Sequence, residues 1–167
     1  LGGFELYREF AGDGTTVTLE RETLHVMDDK QRIALADTLT TSSGVPVTTP
    51  SPLHRFQYGN HLGSSILELD AAGLLVSYEE FHPYGTPAFQ AGRSAAEVSL
   101  KRYRYTAMER DDETGFGHHG ARYFLPWLGR WLSTDPAGIQ ADMNLYAYAL
   151  NSPTRLLDRS GGEPDLD

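Results

Sequence analysis

The chain has 167 residues, room for one modest hydrophobic core and cramped for two. Fourteen basic against 23 acidic residues leave a formal charge of -9, which repels nucleic-acid phosphates, and the absence of cysteine excludes disulfides and thiolate metal sites. No run approaches the roughly eighteen apolar residues of a membrane-spanning helix, so neither a nucleic-acid partner nor membrane insertion is expected.

Nine Tyr, seven Phe, two Trp and 17 Gly point to a mainly β chain of aromatic-rich strands joined by tight turns. Opening on Leu1, the sequence reads as part of something longer. Short strands are predicted over Phe4–Tyr7, Thr15–Glu20, Thr23–Met27 and Arg32–Leu35. Gly12-Asp13-Gly14 and Asp28-Asp29-Lys30-Gln31 supply turns between them, giving consecutive antiparallel hairpins. Thr40–Pro52 holds three prolines among Ser, Thr, Val and Gly and is predicted as an exposed loop.

A second block starts at Phe56. Ile66–Asp70 faces Leu74–Tyr78 across Ala71-Ala72-Gly73, the clearest hairpin of the chain, which continues to a turn at Gly85-Thr86-Pro87. Gln90–Glu97 reads as a small-residue spacer. A third, more aromatic block begins at Tyr103, with no helix-period stripe in it. Tyr78–Gly85 and Tyr105–Gly115 share one grammar of aromatic, charge, turn and glycine, the texture of hairpin repeats that bury their faces only against neighbours.

Isolated site candidates are weak. In a strand, Lys101-Arg102-Tyr103-Arg104 would point its bases to opposite faces, so a solvated strand face is expected rather than a nucleic-acid groove. Adjacent His118 and His119 would likewise diverge, and no metal or cofactor site is expected of them or of the other histidines; surface or packing roles fit better. Ser64-Ser65 after His61 lacks a nucleophile elbow and reads as turn structure. Trp127 and Trp131 are expected in the core.

The stretch Tyr103–Gly115 resembles the opening of the RHS repeat-associated core. Ala121-Arg122-Tyr123-Phe124, Leu128-Gly129-Arg130-Trp131, Asp135-Pro136-Ala137-Gly138 and Asn144-Leu145-Tyr146-Ala147-Tyr148 follow in that family's order, ending at Asn151-Ser152-Pro153 and Asp158-Arg159-Ser160-Gly161. Upstream, His61-Leu62-Gly63-Ser64 and Phe81-His82-Pro83-Tyr84-Gly85 look like the same RHS/YD-repeat family, and the first forty residues look like the form found in Tc toxin C components. The resemblance implies three parts: a YD-type hairpin shell segment over residues 1–97, the RHS core over 98–162 capping the shell, and a polar tail over 163–167. It also implies an encapsulated C-terminal toxin cargo, a partner that is the rest of the RHS shell or a Tc toxin B component, and export as part of a toxin complex.

By the same resemblance, Arg122, Asp135 and Asp158 match the positions of an aspartyl-type self-cleavage site, with Gly161 and Gly162 as the cleavage region. Two close carboxylates cannot both ionise cheaply, so one would serve as acid while the other activates water, and a guanidinium would steady developing oxyanion charge. Read as residues alone, both aspartates start ordinary turns and Arg122 is a surface or ion-pair residue. The pattern also departs from the family: Arg159 stands in place of proline and Gly162 in place of an apolar residue, and the few residues after the motif cannot form a toxin domain. A processed or truncated toxin protein and a non-catalytic relic acting as a strand-adding interaction module both remain open.

Overall fold

The computed structural model describes residues 3–29, 31–94, 98, 100–140 and 143–163, and the statements below concern those residues. Strands β1 (Phe4–Phe10), β2 (Val17–Met27), β3 (Arg32–Ser42), β5 (Leu53–Gly59), β6 (Ser65–Leu69), β7 (Leu75–Phe81) and β8 (Pro87–Gly92) lie in that spatial order, with the short β4 (Val45–Pro46) paired to β3. A second sheet takes β9 (Glu109–Arg110), β10 (Gly117–His119), β11 (Arg122–Leu125) and β12 (Arg130–Trp131) in the order β12-β11-β10-β9. Strands adjacent in sequence are adjacent in space, as short turns dictate, and the expected mainly β, antiparallel hairpin fold is what forms.

Several hairpins are longer than the sequence suggested. The two strands expected over Thr15–Glu20 and Thr23–Met27 are one, β2, because Glu20-Arg21-Glu22 keeps the alternation going: Arg21, Thr23 and His25 all point to the buried face. A bulge between Glu20 and Arg21 absorbs the irregularity without ending the pairing. Strand β3 runs to Ser42, past the expected Leu35, and the Thr40 hydroxyl bonds Glu20 Oε1 at 2.9 Å across the pair. The expected loop over Thr40–Pro52 therefore shrinks to Val47–Pro52, after a two-residue turn at Ser43 (φ 51°) and Gly44 (φ 76°). The spacer at Gln90 is likewise strand as far as Gly92, paired to β7; Ala95, Ala96 and Glu97 lie outside the described residues.

The chain forms two compact units. One comprises Leu1–Tyr58 with Glu68–Val76, the other Gly59–Leu67 with Ser77–Asp167. In the first, the buried face is largely polar. Arg55 pairs with Asp37 at 2.9 Å and with Glu68 at 3.1 Å, Gln57 bonds Glu68 at 2.8 Å, and the Thr23 hydroxyl donates to Asp37 at 2.7 Å. The opposite face of the same strands carries exposed Phe4, Leu6, Leu24, Val26 and Phe56.

The second unit has an aromatic core of Tyr105, Phe124, Trp131 and Tyr148 with Ala149, against which Phe81, Tyr84 and Leu156 pack. Phe124 and Tyr148 are tightest, with ring centroids 4.2 Å apart. Glu79 is buried in this unit and meets Arg104 at 2.9 Å and Lys101 at 3.5 Å. The solvated basic strand face expected at 101–104 is thus overturned at both ends, since Lys101 and Arg104 are buried ion-pair partners.

Candidate active site

The site grows from one hairpin. In β10 and β11, His119 pairs directly with Arg122 across the turn Gly120-Ala121, and alternation puts His119, Arg122 and Phe124 on the buried face while His118 and Tyr123 face out. The chain's last described segment returns to this turn: the Ala121 amide donates to the Ser160 carbonyl at 2.9 Å. Gly161 has φ 68°, and a Cβ there would stand 2.1 Å from the His119 carbonyl oxygen, so the close approach demands glycine.

Arg122 is the hub. Its Nη2 lies 2.9 Å from Asp135 Oδ2 and 3.4 Å from Asp158 Oδ2, so one guanidinium nitrogen joins the two carboxylates. Its Nε donates to the Gly161 carbonyl at 2.7 Å, and Nη2 reaches the Gly162 carbonyl at 3.5 Å. The guanidinium carbon sits 4.2 Å from the Trp131 ring centroid, a cation–π seat that fixes its plane. Nη1 is buried with no hydrogen-bond partner.

The two aspartates differ. Asp135 opens a turn, with Oδ1 accepting the Ala137 amide at 2.8 Å, while Oδ2 faces Arg122. Asp158 is 1% exposed. Burial pushes its carboxyl above the usual range, against the opposing pull of Ser160, the Gly161 amide and Arg122. Its Oδ1 accepts from the Gly161 amide at 2.8 Å and the Ser160 hydroxyl at 3.1 Å. A buried acid with a raised pKa beside an ion-paired one is an arrangement that can divide acid and base work.

The structure therefore brings Arg122, Asp135 and Asp158 together with the carbonyls of Gly161 and Gly162. Sequence reasoning had not placed His119 here. Its Nδ1 lies 2.6 Å from the Asp158 carbonyl, and burial lowers its pKa to about 4, so the ring is neutral near pH 7. The one available signal was strand alternation, which turns His119 inward with Arg122. Among the other candidates, Ser64 is structural, its Oγ accepting the Thr106 amide at 2.9 Å. Trp131 is core, but Trp127 departs from expectation: it is 53% exposed and stacks on Phe116 with centroids 5.5 Å apart. Among the described residues, no three His, Asp or Glu side chains gather as a metal site.

No protein-family model matches the chain. It is 46% identical to Toxin subunit YenC2 of Yersinia entomophaga over 129 residues, 75% of this chain and 13% of YenC2. Toxin subunit YenC1 of the same organism is 45% identical over 121 residues, 72% of this chain and 12% of YenC1. The chain thus spans about an eighth of the length of these curated relatives. Its fold matches the crystal structure of TcdB2-TccC3-TEV with a TM-score of 0.81 at 40% identity, over 96% of this chain and 7% of that one. By sequence and by hairpin architecture, the chain belongs to the RHS/YD-repeat proteins, in the company of Tc toxin C components.

Proposed function

We propose that this chain closes an RHS shell around a C-terminal toxin and that its Arg122–Asp135–Asp158 cluster cuts the polypeptide after Gly162 in a longer parent. The observation that carries the cleavage reading is the single Arg122 guanidinium touching both carboxylates and the Gly161 carbonyl at once. Asp135 takes a proton from water, and the water oxygen bonds to the Gly162 carbonyl carbon. Arg122 stabilises the resulting oxyanion. Asp158 then gives its proton to the Glu163 nitrogen as the C–N bond breaks, leaving a Gly162 carboxylic acid and a free Glu163 amine, with the proton from water held on Asp135.

In this account residues 1–97 belong to the shell wall, 98–162 cap it, and 163–167 begin the segment released. The shell partner is the remainder of the RHS shell or a B component, a pairing supported by a structural neighbour that holds TcdB2 with TccC3. Export follows as part of a toxin complex, since the relatives are toxin subunits.

Intact mass of the parent chain tests the proposal. Wild type should yield two pieces that meet at Gly162, and Asp158→Asn one uncut chain. An uncut wild type would leave a relic. For the relic, strand addition at β1 or β8, the two ends of the larger sheet, becomes the favoured role. Concentration-dependent self-association in sedimentation would support that alternative.

A further inference from the structure

Three features lie outside the carboxylate pair: the apolar face of β1–β3, the Phe116–Trp127 stack, and His119. Nothing identifies an occupant for the first two. His119 stands apart because it touches the terminal turn twice. Its Nδ1 faces the Asp158 carbonyl at 2.6 Å, and its own carbonyl presses on Gly161 so closely that no Cβ fits between them.

We infer that His119 is the positioning residue that holds the Asp158–Gly162 turn against Arg122, by donating its Nδ1–H to the Asp158 carbonyl from within a fixed aromatic box. The box is explicit. The imidazole meets Phe124, Trp131 and Tyr148 edge to face, at centroid distances of 5.7, 5.3 and 5.7 Å. Trp131 also underlies the Arg122 guanidinium, so one indole seats both the hub cation and the histidine that orders its target.

A carbonyl accepts and never donates, so the bond assigns the proton to Nδ1 and leaves Nε2 as an acceptor. Nε2 points toward Gly117, where a Cβ would stand 3.2 Å away. The groups that act on the ring's charge are Arg122 and His118, which disfavour protonation, and the Asp158 carbonyl, which favours it; burial outweighs the latter. With the ring neutral, the Asp158 main chain is tethered without adding a second cation beside Arg122. His119 makes no contact with the Gly162 carbonyl in the structure's hydrogen bonds, so its part is placement and not proton transfer.

The role rests on the cleavage proposal for its purpose, and two measurements on the full-length parent separate the fates of the two ideas. His119→Phe keeps the ring and removes the donor, and His119→Asn puts an amide N–H near the Nδ1 position. If the tether matters, His119→Phe slows cleavage about tenfold or more, and His119→Asn recovers most of the rate. Amide hydrogen exchange supplies the second readout. In His119→Phe the Gly161 amide, which bonds Asp158 Oδ1, should exchange about tenfold faster, with the β7–β8 amides unchanged. An uncut wild type would sink the cleavage proposal and leave the exchange result to decide whether His119 orders the turn. Unchanged Gly161 exchange in His119→Phe, or a wild-type cleavage rate in that variant, would overturn the inference.

Discussion

Each compact unit buries one arginine between two carboxylates, and the two clusters differ in what else they hold. Arg55 spans Asp37 and Glu68, all three on neighbouring strands of one sheet, with Gln57 and Thr23 supplying further side-chain bonds. Arg122 spans Asp135 and Asp158, but the aspartates come from turns, and the guanidinium also grips two main-chain carbonyls. The first cluster is built from side chains of neighbouring strands and serves the sheet. The second holds a carboxyl pushed upward by burial, a feature that costs stability and fits chemistry. Burial of an arginine between two carboxylates is therefore common to both units and by itself marks no site.

That contrast can be broken by exchange of roles. Arg122→Lys loses the fork that reaches two carboxylates and a carbonyl together, and should slow parent-chain cleavage by about a thousandfold, followed by intact mass against time. Should this variant process at the wild-type rate, Arg122 would be no more than a second Arg55.

Neutral isosteres sharpen it further. Glu68→Gln strips charge from a pair on which Arg55 depends and should cost about 3 kcal/mol in urea unfolding. Asp158→Asn should cost under about 1 kcal/mol by the same measurement, because burial already penalises the Asp158 anion, while abolishing cleavage. Equal stability losses in the two variants would erase the distinction between the clusters.

Acidity separates the clusters as well. His119 has its pKa lowered from 6.5 to about 4, so the unfolded chain takes up that proton first and stability falls as pH drops through this window. The loss is about 3 kcal/mol, complete below pH 4, and should be missing from His119→Phe when unfolding is followed from pH 7 to 4. Asp158 works in the opposite sense: its raised pKa favours the folded state at low pH and withdraws that support as pH rises through the folded value. The smallest effect concerns neither cluster. Ser43→Gly relieves a left-handed φ of 51° in the β3–β4 turn and should stabilise the chain by about 0.5 kcal/mol, read as a higher urea midpoint.

Much of this was legible in the order of residues. Alternation and turn chemistry specify hairpins locally, which is why Asp70 and Gly73 close the β6–β7 turn where expected, with the Asp70 amide on the Leu74 carbonyl at 2.9 Å. Family motifs, in order, pointed to Arg122, Asp135 and Asp158. What sequence could not supply was the fate of charge. Lys101 and Arg104 read as solvated because a strand pattern says nothing of what faces it, and Glu79, more than twenty residues away, is what makes their burial tolerable.

The same limit applies to β2, whose charged middle looked like a break until its partners accepted it, and to His119, which read as a surface or packing histidine until a returning segment supplied the Asp158 carbonyl. Backbone class and turns such as Ala71-Ala72-Gly73 depend on neighbours in sequence, so the chain by itself determined them, whereas the lengths of β2 and β3 depended on their pairing. The meeting of two aspartates on one guanidinium depends on which segments fold back together, and only tertiary structure decides that.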